Sequence, residues 1–370
     1  MKKKEFYSLG IMSGTSVDGL DFSLIKSDGE KKVKIISNKF YEFENSFRKK
    51  VHEVIDEFNA QRNKKIIFKN LRNLDKKFTD LTIEKINLFL EELKFSFDEI
   101  DLIGIHGNTI YHSVKEKVSI QIGNPEFLAK KLNKCIVYNF RENDLLLGGQ
   151  GAPLVPIFHK SIFSKRNKNV MVVNIGGISN FTFINEKKIL ASDIGPGNVL
   201  LDRFCNVYFN KLFDKNGKIS SSGNVLPELI EEWSKKKFLN VPLPKSFDNY
   251  EFKLKDFLKS NSFSKKDLLR TLTYFSAFII KRTESVLPYS VDNWIICGGG
   301  SKNLTLLSDL RKMVKKGKIF TSEKFGFDSS FIESQAFAYI SIRTIKKLDS
   351  SFPETTGAIK SSICGKVMLP

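Results

Sequence analysis

Nine consecutive residues near the start of the chain, Ser13–Asp21 (SGTSVDGLD), hold two glycines, three hydroxyls and two carboxylates. Glycines at a turn let the backbone approach a ligand, and successive N–H groups there form a concavity suited to anions. The hydroxyls of Ser13, Thr15 and Ser16 add donors for phosphate oxygens. Carboxylates repel phosphate but hold Mg²⁺ through water, so Asp18 and Asp21 fit a metal beside the β- and γ-phosphates of a nucleotide. An ordinary hairpin has a similar composition. A second glycine turn, Asn174-Ile175-Gly176-Gly177, favours the phosphate reading. No G-x-x-x-x-G-K-[ST] sequence occurs, and Gly298-Gly299-Gly300 lacks the spacing of a dinucleotide fingerprint.

A third stretch, Asp193-Ile194-Gly195-Pro196-Gly197-Asn198, sets a carboxylate before a rigid turn. Asp193 there is either a general base or a helix cap. Of the histidines, His52 reads as a surface helix residue. His106, in GIHGNT, is placed to face a ligand, and His112 and His159 carry no distinguishing pattern. No histidine pair has zinc spacing, and no G-x-S-x-G or Cys/His signature points to a hydrolase.

The elements that must position these groups follow from periodicity. Residues 6–26 read as strand, glycine turn, strand, and 33–43 as a third strand. Residues 46–96 carry apolar side chains at helical spacing. A buried strand over 100–112 runs into a turn. A helix opens at Asn124-Pro125, and 135–140 is another strand. Residues 169–185 repeat the opening arrangement, 200–290 are mainly helical, 293–303 are a strand ending in glycines, and a late helix precedes an irregular tail. Asn198 or the Gly197 backbone is expected to open the helix after the Asp193 turn. Two halves that begin alike predict an α/β protein of two domains, mixed sheets flanked by helices, with a cleft between them. The Gly/Pro-rich stretch at 141–160 suggests a division into 1–140 and 141–370, the helix at about 330–347 packing back toward the first domain.

Composition bounds the rest. The chain has 370 residues, 41% hydrophobic, enough for a large core. No run of 18 apolar residues exists, and Glu5, Ser8 and Gly10 interrupt the start, so neither a membrane span nor a signal peptide is expected. Four scattered cysteines fit a reducing, cytoplasmic setting. The net charge of +19 suggests a nucleic-acid binder. The lysines are dispersed, however, and Lys, Ile, Asn and Phe are abundant together, as AT-rich codons would produce. No nucleic-acid partner is expected.

The glycine hairpins and late triple glycine resemble the sugar kinase, actin and heat-shock chaperone superfamily. The order IMSGTSVDGLD, GIHGNTIYH, GGQGAPLVPIFH, VVNIGGISN, DIGPGNVLLD, ICGGGSKN and ESQAFA, from about residue 8 to Thr356-Gly357-Ala358, resembles the anhydro-N-acetylmuramic acid kinases. The resemblance implies opening of the 1,6-anhydro ring of 1,6-anhydro-N-acetylmuramic acid by water. ATP then phosphorylates O6, giving N-acetylmuramic acid 6-phosphate in cell-wall recycling. It implies Asp193 as the base, and ATP and Mg²⁺ at Gly14, Thr15, Ser16, Val17, Asp18, Gly19, Leu20 and Asp21, with Asp18 reaching the metal through water. Further nucleotide contacts fall to Asn174, Gly176, Gly177 and Gly195, and to Gly298, Gly299 and Gly300 near the adenosine. His106, Asn108, Arg141, Asp144, Gln150, Gly151, Pro153 and Glu333 are implied for the sugar, and Arg141 suits its lactyl carboxylate. The family's tendency to pair points to a homodimer. Four positions depart from its pattern: Asn108 for Gln, Asn124 and Asn139 for Asp, and Ile194 for Thr. Two alternatives stay open. One is a kinase of the same fold acting on an ordinary hexose or N-acyl amino sugar; the other is a nucleotide-driven conformational protein.

Overall fold

The computed structural model describes residues 4–14, 16–60, 64–247, 249–258 and 263–370. The chain opens with β1 (Phe6–Met12), β2 (Gly19–Ser27), β3 (Val33–Glu42), α1 (Asn45–Asn59) and α2 (Lys64–Leu93). It continues with β4 (Leu102–Ser113), β5 (Val118–Ile122), α3 (Pro125–Leu132), β6 (Cys135–Tyr138), α4 (Glu142–Leu146) and α5 (Pro156–Phe163). Then come β7 (Val170–Ile175), β8 (Ile178–Ile184), β9 (Ile189–Pro196), α6 (Val199–Phe209), α7 (Pro227–Trp233), α8 (Lys265–Arg282), β10 (Asn293–Cys297), α9 (Leu304–Met313) and β11 (Lys318–Thr321). Last are α10 (Ile332–Ile345), α11 (Pro353–Thr356) and β12 (Lys366–Met368). Two compact units result: Met1–Ile162 with Phe331–Pro370, and Phe163–Ser330.

The first unit holds a mixed sheet in the order β12-β6-β4-β1-β2-β3, with β5 paired to β4. Strand β1 lies inside it, antiparallel to β2 and parallel to β4. It is buried from Ser8 to Met12, as an interior strand covered on both faces requires. Leu9 and Ile11 join Phe22, Phe78 and Phe89 in one apolar core. The alternate residues are small: the Ser8 hydroxyl donates to the Ala338 carbonyl at 2.8 Å, and a Cβ on Gly10 would strike the Ser334 carbonyl. A Cβ on Gly104 in β4 would strike Ser341 Oγ and the Phe337 carbonyl. Helix α10 therefore lies against a sheet face pared down to admit it. It is buried along nearly its whole length, and its buried hydroxyls are satisfied within it: Ser341 donates to the Phe337 carbonyl at 2.7 Å and Thr344 to the Ile340 carbonyl at 2.9 Å.

The second unit carries the order β11-β10-β7-β8-β9, with β7 parallel to β10 and antiparallel to β8. Its core includes Phe181, Phe183, Trp233, Phe275 and Trp294. The Ser264 hydroxyl accepts the Asp267 N–H to start α8, whose last turn holds Lys281 and Arg282 against the helix dipole.

The two mixed sheets flanked by helices match the expected fold class. The strand expected over 100–112 is β4, which runs to Ser113 and turns into its antiparallel partner β5. Other local expectations are corrected. The tail contains β12, which pairs with β6. The Asn198 side chain does not cap α6: its Nδ2 donates to the Ile175 carbonyl at 3.1 Å. The first boundary falls after residue 162 rather than 140. Residues 141–162 are fastened to the first unit by bonds such as Asp144 to Thr356 and the ring contact of Phe158 with Tyr339, 5.5 Å between centroids.

Gly104→Ala should lower stability by about 1–3 kcal/mol, the usual cost of overpacking. Urea unfolding checks this, and a midpoint equal to wild type would show that α10 does not need the bare strand.

Candidate functional site

In the first unit the β1–β2 turn brings together the residues read from SGTSVDGLD. Thr15 lies outside the described residues. Val17 is fully buried at φ +54°, where a β-branched residue is strained by about 1–3 kcal/mol. Its N–H reaches the Gly14 carbonyl at 3.1 Å, and the Asp18 carbonyl accepts the Phe43 N–H at 2.9 Å. The loop is thus tied by its backbone, leaving the Ser16 and Asp18 side chains exposed. Leu20 is buried, and Asp21 opposes Met12 in the ladder.

The glycines separate into two kinds. A Cβ on Gly19 would strike the Tyr41 carbonyl, so packing requires glycine there. A Cβ on Gly14 would meet only Ser16 Oγ, at 3.6 Å. Nothing within the unit demands that Gly14 be bare, so the space above it is available to a ligand.

Asn108 is fully buried beneath this loop. Its Nδ2 donates to Ser13 Oγ at 3.1 Å and to the Gly14 carbonyl at 2.8 Å. A carbonyl only accepts, so the orientation of the amide is set. Oδ1 is left buried without a partner among the described residues.

The remaining first-unit residues form one network. Arg141 Nε donates to His106 Nε2 at 3.0 Å, and Arg141 Nη1 to the Gly151 carbonyl at 2.7 Å. His106 is therefore the Nδ1–H tautomer, its proton directed at the Gly107 carbonyl 3.1 Å away. Burial, then the Arg141 charge, pushes His106 well below its ordinary value and keeps it neutral. Burial raises the Glu333 carboxyl against the opposing charge of Arg141. Asp144, fully buried, accepts the Gly151 N–H at 2.7 Å and the Thr356 hydroxyl at 2.6 Å. The Gln150 N–H reaches the Thr356 carbonyl at 2.9 Å, and His112 faces the Gln150 carbonyl at 3.0 Å. Pro153 follows a cis peptide bond. Thr356 entered the sequence reading only as part of the last motif and not as a site residue, because its partner Asp144 is far away in the chain.

In the second unit Asn174 is the penultimate residue of β7, and the carbonyls of the Gly176-Gly177 turn accept the N–H groups of Asn198 and Gly197, each at 2.8 Å. A Cβ on Gly298 would strike Asn174 Oδ1, and one on Gly300 would strike Ile175. Gly195 packs against the Phe238 ring. Gly299 matches Gly14: the nearest atom to its Cβ would be Asn198 Nδ2, at 3.8 Å.

Asp193 lies on β9 opposite Asn180 and lines a cavity of about 480 Å³ with Ile194, Lys245 and Arg282. Its Oδ2 accepts the Phe247 N–H at 2.8 Å. Burial pushes its carboxyl up to about 6, while that hydrogen bond and the Lys245 charge pull it down. Lys245 and Phe247 were not expected at the site: LPKSF reads only as an irregular Pro-rich piece.

No group of three or more His, Cys, Asp or Glu among the described residues could cage a metal. An exposed carboxylate at Asp18 beside the Ser16 hydroxyl instead fits a hydrated Mg²⁺ shared with phosphates. No described helix is long and apolar enough to cross a membrane.

His106 should keep the Nδ1–H tautomer and stay neutral through the range where an ordinary histidine titrates, read from the ¹⁵N shifts of its ring. Titration near the ordinary value of about 6.5 would contradict the Arg141 contact.

The model of the family described as anhydro-N-acetylmuramic acid kinase matches residues 6–370. The anhydro-N-acetylmuramic acid kinase of Pelagibacter ubique is 39% identical over 98% of this chain and 98% of its own. The Bacillus cereus (strain Q1) protein of that name is 35% identical over 98% of this chain and 99% of its own. That of Agrobacterium fabrum is 31% identical over 98% of each. With the whole architecture from β1 to β12 inside one family model, the chain belongs to the anhydro-N-acetylmuramic acid kinase family.

Proposed function

We propose that this protein opens the 1,6-anhydro ring of 1,6-anhydro-N-acetylmuramic acid with water and transfers the γ-phosphoryl group of ATP to O6. The observation that carries the reading is Asp193: a half-buried carboxylate, held through one oxygen and lining a cavity, with its proton affinity raised to about 6. Such a group is ionised at neutral pH and basic enough to take a proton in a transition state.

Asp193 takes a proton from water as the water oxygen bonds to the anomeric carbon. The bond from that carbon to O6 breaks, and O6 bonds to the γ-phosphorus as the bond to the ADP oxygen breaks. The products are N-acetylmuramic acid 6-phosphate and ADP. Phosphoryl transfer needs positioning and charge neutralisation more than covalent help. The open backbone at Gly14 and Gly299 supports nucleotide contact at both glycine turns. Mg²⁺ would neutralise phosphate charge, with Asp18 holding it through water. Arg141 suits the lactyl carboxylate of the sugar, and neutral His106, oriented by Arg141, suits its hydroxyls.

Asp193→Asn should abolish turnover with the anhydro sugar while ATP affinity, by calorimetry, stays within about twofold; substantial residual turnover would remove Asp193 from the chemistry. The base works ionised, so kcat/KM for the sugar should fall as pH drops through about 6, tenfold per unit. Gly14→Ala should keep the melting temperature of the wild type yet weaken ATP binding about tenfold or more, the equivalent of about 1.4 kcal/mol. Unchanged ATP affinity would mean that the space above Gly14 is not a phosphate site.

A further inference from the structure

Strand β9 is an edge of its sheet, and one segment, Pro242–Phe247, covers it. The Asp193 N–H donates to the Lys245 carbonyl at 3.0 Å. The Lys245 N–H donates to Ser192 Oγ at 2.8 Å, and that hydroxyl lies 3.2 Å from the Lys245 carbonyl. The Phe247 N–H closes the set on Asp193 Oδ2. The Lys245 side chain is pinned as well, its Nζ donating to the Phe238 carbonyl at 2.9 Å. A half-buried ammonium with so fixed an anchor, lining the same cavity as Asp193, is a standing positive charge in that cavity rather than a mobile surface lysine.

We propose that the strap Pro242–Phe247 is the positioning element of the reaction's base, with the Lys245 ammonium as the fixed counter-charge of the Asp193 carboxylate. This rests on the reading of Asp193 as the base. The strap does two things that the sheet cannot. It gives the edge N–H of Asp193 and the hydroxyl of Ser192 their partners. It also keeps a half-buried carboxylate charged at the pH of turnover, where desolvation alone favours the neutral acid. Glu251 acts against it, its negative charge pushing Asp193 up. Arg282 opposes the charge on Lys245, and its own guanidinium is bound to the Ser234 carbonyl and to Asn240 Oδ1, at 3.1 Å each. Lys245 is thus the cation that favours ionised Asp193 within this group. It is a positioning residue and takes no proton in the reaction.

The test is the pH profile of kcat/KM for 1,6-anhydro-N-acetylmuramic acid in Lys245→Met and Lys245→Arg, with folding checked by circular dichroism. Lys245→Met should move the acid limb upward by at least about half a pH unit. At pH 6 this appears as a loss of about twofold, with KM for ATP unchanged. Lys245→Arg should restore the limb. An unmoved limb in Lys245→Met, or an arginine variant displaced as far as the methionine one, overturns the proposal. If Lys245→Met does not fold, Ser192→Ala, which unties the strap and leaves the ammonium, takes its place. It should lower kcat with KM for ATP unchanged, and a wild-type kcat overturns the proposal. Failure of the underlying reading looks different: Asp193→Asn would then remain active. An inactive Asp193→Asn with an unmoved Lys245→Met limb sinks the strap alone.

Discussion

A carboxylate taken out of water at the edge of a sheet must be neutralised or surrounded by fixed dipoles and charge, and Asp193 is held by the second means. Burial pushes it toward the neutral acid, while the Phe247 N–H and the Lys245 charge push it back. The balance leaves a group able to exchange a proton near neutrality. Much around it follows from that need: a glycine turn at 195–197 letting β9 end against Phe238, and a Pro-rich strap laid along the strand edge. The first unit meets the same difficulty with opposite sign. Arg141 is half-buried and directs its donors to His106 and the Gly151 carbonyl, with Glu333 and Asp144 supplying negative charge.

Much of this was legible in the sequence. The apolar runs of β1 and β7 and the glycine turns that follow them are local signals, and the structure places both turns at strand ends. Residue type alone could not separate the glycines. Gly10 and Gly104 serve the close packing of α10, Gly195 and Gly298 serve contacts within the second unit, and Gly14 and Gly299 serve neither. The division of the chain was legible only in part, because the first unit is built from two distant segments, and 141–162 looks like a junction while packing as part of that unit. The strap was missed for the same reason. Lys245 meets Ser192 across 53 residues, and no local pattern marks such a bond.

The departures from the family pattern also resolve into local physics. Asn124 accepts the Phe127 N–H at 2.9 Å as the cap of α3, a task asparagine performs as well as aspartate. Asn139 sits at φ +52°, a conformation that asparagine tolerates better than most residues. Ile194 is 2% exposed within the apolar core, while the neighbouring Asp193 is held by backbone groups of the strap. Asn108 is the departure nearest the proposed phosphate turn, since its amide supports Ser13-Gly14 and its Oδ1 has no partner among the described residues.

The central claim is that water opens the sugar ring in the same turnover in which O6 is phosphorylated. The most direct measurement is turnover in water labelled with oxygen-18, followed by mass spectrometry of the sugar phosphate and of any free phosphate. The account predicts one labelled oxygen per N-acetylmuramic acid 6-phosphate, on the anomeric carbon, and none in its phosphoryl group. An unlabelled sugar phosphate, or label that appears only in inorganic phosphate, would contradict it.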